Sequence, residues 1–334
     1  MSALPNMGDP NGTPVVHGGD LSAVRQRFPD APSPWLDLST GINPMPYPVP
    51  DLPPETWSRL PTREQNDALI AAAARRYGVR DPATIVAAPG TQALIQAIPR
   101  LVPRSRVAVV GPTYEEHQVC WRRQGHDVAV VSSLDEAGDA EVVVLVNPDN
   151  PTGRLVPVEA LPPRPRLLVV DEAFIDLSPS EASLAGRLPP RTVVLRSFGK
   201  TYGLAGLRLG FAVANPDLAF SLRDELGPWA VSGPALEIGR TALADNAWLD
   251  AASRRLQADR HQLDEILKDA GFTIVGGTSL FCLAEHPEAS SMIDRLGRGG
   301  LHVRHFPHWP SRMRFGLPGD ATAFARLRTA LDTR

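Results

Sequence analysis

The chain has 334 residues, 43% hydrophobic and 21% charged, an ordinary globular composition with enough length for one large and one small domain. A net charge of −3 gives no electrostatic basis for a nucleic-acid or membrane-surface partner. Cys120 and Cys282 lie far apart with no CxxC spacing, which excludes a disulfide scaffold and predicts free buried thiols in a reducing compartment. The opening MSALPNMGDPNGTP lacks a basic region followed by an apolar core. No apolar stretch approaches the roughly 20 residues that span a bilayer, so a cytoplasmic enzyme is expected.

Residues 1–60 are rich in Pro and Gly and poor in periodicity, which predicts an extended arm laid over other surfaces. From Glu64 the stretch EQNDALIAAAARRYG predicts a helix stopped by Gly78. Short apolar runs then alternate with helical stretches: VAVV (107–110), VVVLV (142–146), LLVV (167–170), TVVLR (192–196) and LGFAVA (209–214). Such nearly unbroken β-branched runs suit strands buried on both faces, in a parallel or mixed sheet covered by helices, hence an α/β architecture. Beyond Pro234, two helices (ALEIGRTALA and Trp248 to Ala270) precede the strand-like pieces FTIVGG, SLFCLAE, LHVRHF and MRFGL, which describes a smaller α+β unit. The division predicted is an arm over 1–45 joining the small domain, a large domain over 46–233 and a small domain over 234–334.

Polar residues at the C-terminal ends of strands are where an α/β sheet places a ligand site. LLVV runs into Asp171, TVVLR into Ser197-Phe198-Gly199-Lys200, VVVLV into NPDNPTG, and VAVV into GPTYEEH with Tyr114. Taken singly, each has a bland reading. A lysine near a strand end is usually solvated, an Asp often caps a helix, Tyr114 could be a half-buried aromatic, Arg314 a structural ion pair, and NPDNPTG turn chemistry.

The ordered set APGTQ (88–92), GPTY (111–114), NPDNPTG (147–153), DEAF (171–174), SFGK (197–200) and GLRLG (206–210) resembles the fold-type-I pyridoxal 5′-phosphate (PLP) enzymes, in their class I and II aminotransferase branch. The resemblance implies a PLP-dependent transferase fold: a large domain with a mostly parallel sheet covered by helices, plus a small α+β domain. It implies that Lys200 carries PLP covalently and, once displaced by substrate, moves protons as a free amine. Asp171 would face the pyridine nitrogen, Asn150 would bond the ring's 3′-oxygen, and Tyr114 would stack on the ring. Backbone N–H groups of Gly90, Thr91 and Gln92 at a helix start, with Ser197 and Arg208, would hold the cofactor phosphate. Arg314 would clamp the substrate α-carboxylate, a task for which a guanidinium suits better than an ammonium. A homodimer completing each site from the partner is also implied.

Within that branch, the arm motifs HGG (17–19) and WLDLSTGINP (35–44) are similar to those of the L-threonine-O-3-phosphate decarboxylases of cobalamin biosynthesis. RLPTRE, RSFGKTYGLAGLRLGF and LGPWAVSGPAL point the same way. Phe174 stands where the related histidinol-phosphate aminotransferases usually have tyrosine. The resemblance implies decarboxylation of L-threonine O-3-phosphate to (R)-1-amino-2-propanol O-2-phosphate, with a histidinol-phosphate or related aminotransferase, or a non-catalytic binding module, as alternatives. A phosphorylated substrate needs its own anion site, for which His17 and Arg304 are candidates and Arg154 a weaker one. Arg304 could instead share the carboxylate with Arg314. Two positions depart from the family pattern. Leu60 occupies the place of a tyrosine that reaches the partner's cofactor phosphate, and Ser232 the place of an asparagine.

Overall fold

The computed structural model describes residues 17–161 and 165–332; the first sixteen residues of the arm lie outside the described part. Its strands are β1 (Leu36–Leu38), β2 (Ile85–Ala88), β3 (Arg106–Val110), β4 (Asp127–Val131), β5 (Val142–Val146) and β6 (Leu167–Asp171). They continue with β7 (Thr192–Ser197), β8 (Gly210–Ala214), β9 (Thr273–Thr278), β10 (Phe281–Glu285), β11 (Leu301–Phe306) and β12 (Trp309–Gly316).

Seven strands form one sheet in the order β2-β8-β7-β6-β5-β3-β4, in which β8 alone runs antiparallel to its neighbours. Every residue of β5, β6, β7 and β8 is buried, which is why their sequences read as unbroken apolar runs rather than alternating ones. Two clusters of buried side chains cover the two faces of this sheet, among them Phe198, Tyr202 and Phe211 on one and Ile95, Ile98 and Trp121 on the other. The helix Arg63–Tyr77 begins with a capping box on Thr62 and Gln65 and stops at Gly78 in the left-handed conformation, a position open to glycine without steric cost.

The second sheet has the order β1-β11-β12-β10-β9 and a core of its own around Phe272, Phe281, Phe315 and Phe324. β1 comes from the arm and pairs in parallel with β11, Leu36 opposite Leu301, so chain from before the first large-sheet strand completes the second sheet. The segment predicted as extended also contains two short helices, Ser22–Arg27 and Glu55–Ser58. Each is too short to show the periodicity that would have marked it in the sequence. β2 and β4 were also unforeseen. β4 is an edge strand with largely exposed side chains, so it carries no core pattern.

Candidate active site

Two adjoining cavities open between the sheets, sharing Tyr114, Asn150 and Lys200. The inner one is lined by Gly90, Thr91, Gln92, Asp171, Phe174, Ser197 and Arg208, and the outer one by His17, Thr113, Arg304, His308 and Arg314. The residues singled out for cofactor contact therefore gather in the first, and those for substrate contact in the second. Arg154 is exposed and lines neither, because the loop turns it outward after Gly153. The weaker candidate for the phosphate is thus no part of the site.

The inner cavity is built by backbone geometry. β6 ends on Asp171 and β7 on Ser197, and parallel pairing of Asp171 with Leu195 holds these strand ends level. The carboxylate of Asp171 accepts the Ala173 N–H at 3.0 Å and lies 3.0 Å from Nε2 of the fully buried His117. Asp171 is thus the last residue of a strand with a dedicated partner, and not a helix cap. His117 was not singled out from the sequence. Its partner lies 54 positions away, and the only available sign was a histidine three residues after Tyr114, one helical turn on.

Opposite, the helix Thr91–Leu101 starts at Gly90, whose φ of +84° favours glycine. A Cβ there would meet a guanidinium nitrogen of Arg208 at 2.6 Å, so arginine and helix start close on the same space. Arg208 itself has φ +55°, an uncommon conformation for a side-chain-bearing residue and one of the kind that clusters at ligand sites. The N–H groups of Thr91 and Gln92 at the helix start, the guanidinium and the Ser197 hydroxyl form a cradle whose chemistry fits a phosphate. The Gly90 N–H, expected among the donors, is instead given to the Ala88 carbonyl at 2.7 Å. Lys200, with Asp171 across the cavity, fits an aromatic aldehyde with a basic ring nitrogen. Burial pushes the Lys200 amine down to about 8, helped by the nearby Arg314 and Arg208 charges and opposed by Asp171.

The outer cavity is dominated by two arginines. Arg304 on β11 and Arg314 on β12 are direct cross-strand partners. Arg314 is buried; it donates to the Asn150 side-chain oxygen and, at 2.5 Å, to the Ser39 carbonyl, while its Nε has no partner among the described residues. Burial, then the Arg304 charge, bring its guanidinium down to about 10. Arg304 makes no ion pair among the described residues; it sits over the Phe306 ring at 5.4 Å, with Glu115 the nearby negative charge. Like charges directly opposite on a sheet are unfavourable unless something anionic lies between them.

His17 reaches the same cavity, but its Nε2 is 2.9 Å from Glu116. Glu116 also accepts from the Gln92 side chain at 2.8 Å, and Gln92 in turn accepts from the Tyr114 hydroxyl at 3.2 Å. This chain of bonds fastens the arm to the helix start of the inner cavity, a role for Glu116 and the Gln92 side chain that the sequence did not reveal. Leu60 is exposed and lines neither cavity. Ser232 caps the helix Gly233–Ala244 by accepting the Ala235 N–H, a job asparagine does equally well.

Residues 50–331 match the model of the aminotransferase class I and II family, and the chain belongs to that family. It is 43% identical over 329 residues to a threonine-phosphate decarboxylase of Sinorhizobium sp, covering 95% of this chain and 98% of the relative. It is 40% identical to the threonine-phosphate decarboxylase of Pseudomonas aeruginosa, covering 95% and 97%. Among solved structures, histidinol-phosphate aminotransferase from Sinorhizobium meliloti in complex with pyridoxal-5′-phosphate superposes with a TM-score of 0.78, 23% identity and coverage of 96% and 95%. That likeness concerns the fold.

Proposed function

We propose that this protein is a PLP-dependent decarboxylase that converts L-threonine O-3-phosphate to (R)-1-amino-2-propanol O-2-phosphate and carbon dioxide, the aminopropanol linker step of cobalamin biosynthesis. The observation that carries the reading is the Arg304–Arg314 pair facing one cavity beside Lys200. Two adjacent guanidiniums call for a ligand with two anionic groups, and L-threonine O-3-phosphate has a carboxylate and a phosphate. The two relatives matched over nearly their whole length carry the name of this activity.

PLP, when bound, supplies an electron sink for the charge left at Cα once a bond to it breaks. Thr91, Gln92, Ser197 and Arg208 would hold its phosphate beside Gly90, and Asp171, kept in place by His117, would hold a proton on the ring nitrogen. Tyr114 would cover the ring, and Asn150, whose side-chain oxygen accepts from Arg314, would serve the 3′-oxygen. Arg314 binds the substrate carboxylate, and Arg304 with His17 binds its phosphate. Lys200, an amine easily freed of its proton, delivers one to Cα after carbon dioxide leaves. Delivery at Cα is what separates this outcome from transamination. Phe174, within 5.5 Å of the lysine nitrogen, brings no hydroxyl to that neighbourhood.

The arm over 1–45, the large domain over 46–233 and the small domain over 234–334 are the proposed units, supported by the two separately cored sheets. A cytoplasmic homodimer is supported by two free buried cysteines and by the exposed Trp57, Leu60 and Trp229. These flank the packing of the helix Glu55–Ser58 against the helix Gly233–Ala244. No helix among the described residues is long and apolar enough to cross a membrane.

The test is a comparison of substrates. Purified enzyme loaded with PLP receives L-threonine O-3-phosphate without a keto acid, or histidinol phosphate with 2-oxoglutarate. Catalytic carbon dioxide release in the first mixture supports the decarboxylase. Amino transfer in the second, with none in the first, makes it an aminotransferase.

A further inference from the structure

We propose that Phe281 is a positioning residue for this reaction, holding Arg314 in place on its ring face and packing edge to face with Phe174. The inference rests on the decarboxylase reading, and its observations are separate. Phe281 is fully buried on β10. Leu283, two positions on, pairs with Arg314, and Phe281 itself pairs with Gly316, so the ring lies diagonal to Arg314 on the same face. The Arg314 guanidinium carbon stands 5.3 Å from the Phe281 centroid. The Phe281 and Phe174 rings meet edge to face at 5.1 Å and 81°, and the Lys200 nitrogen lies 5.5 Å from the Phe174 centroid.

Each ring of one T-shaped pair thus lies under one cation of the site. A ring quadrupole attracts a cation without neutralising it. A carboxylate in the same place would spend the Arg314 charge that the substrate carboxylate needs. The spacing between carboxylate clamp and lysine is therefore set by two rigid rings. Their backing is the arm, because a Cβ at Gly41 would meet Phe281 at 2.8 Å and Phe174 at 2.9 Å. The arm also lies close against Gly316, the strand partner of Phe281, where a Cβ would strike the Thr40 carbonyl at 2.3 Å.

The experiment uses Phe281→Leu, which keeps apolar bulk and removes the ring. Cofactor-free protein is titrated calorimetrically with L-threonine O-3-phosphate and with its decarboxylated amine, which lacks only the carboxylate. The preference for the amino acid is expected to fall about tenfold in the variant, with affinity for the amine unchanged. In the loaded enzyme, KM rises while inhibition by the amine stays constant. An unchanged preference in a folded variant overturns the proposal, as does equal weakening of both ligands, which marks general disruption. Phe281→Met, also apolar and ringless, takes its place if the leucine variant does not fold. A wild type that binds both ligands without releasing carbon dioxide contradicts the decarboxylase reading, and the binding contrast still decides on Phe281.

Discussion

Replacing Arg304 by glutamine should separate binding from folding. Arg304 has no ion-pair partner among the described residues, so its charge is available to a ligand. Charge-assisted hydrogen bonds to a phosphate contribute roughly 1.5–3 kcal/mol, which predicts a KM for L-threonine O-3-phosphate raised roughly 10- to 150-fold. The fold should hardly notice. Losing the Phe306 ring contact costs roughly 0.5–1 kcal/mol, and relief of cross-strand repulsion with Arg314 returns a similar amount. Tm should therefore move by no more than about 3 °C. Carbon dioxide release is followed with the amine phosphate and L-threonine as competing ligands. Inhibition by the amine phosphate should weaken with KM, while inhibition by L-threonine, which has no phosphate, should not. A KM within twofold of wild type refutes the reasoning, and weakened inhibition by L-threonine with that by the amine phosphate unchanged transfers Arg304 to the carboxylate.

Three further outcomes are expected. Lys200→Ala should abolish the visible absorption band of lysine-bound cofactor, and covalent capture of PLP by the wild type should quicken as pH rises through about 8, where the amine loses its proton; a capture rate flat across this range contradicts it. Since the folded chain holds that proton less tightly than the unfolded chain, Lys200 disfavours folding at neutral pH and loses this penalty as pH climbs from about 8 to 10.5. Lys200→Met should thus be more stable than wild type in urea at pH 7, with the difference shrinking in that window. His117→Ala leaves Asp171 with the Ala173 N–H as its remaining hydrogen bond among the described residues, so cofactor affinity, read by equilibrium dialysis, should fall roughly tenfold or more.

Legibility in the sequence followed burial. β5 to β8, buried on both faces, stand out as apolar runs, and the polar residues at the ends of β5, β6 and β7 mark the inner cavity by their order along the chain. β4 at the sheet edge and the one-turn helix Glu55–Ser58 leave no such trace. Within the site, residues tied to local motifs were readable, and those acting through distant partners were not. His117 gains its meaning from Asp171, Glu116 from His17 and Gln92, and Phe281 from Arg314. The facing of Arg304 and Arg314 depends on an irregularity between His305 and Phe306 that shifts the hairpin register. Counting along LHVRHFPHWPSRMRF does not supply it.

The central claim concerns which bond to Cα breaks and where the proton returns. Enzyme loaded with PLP is incubated in heavy water with carboxyl-labelled L-threonine O-3-phosphate and no keto acid. Many turnovers of labelled carbon dioxide are predicted, with a single deuterium on the former Cα of the amine product and the lysine-bound cofactor band intact throughout. A keto product, with the cofactor converted to its amine form after one turnover, would contradict the account.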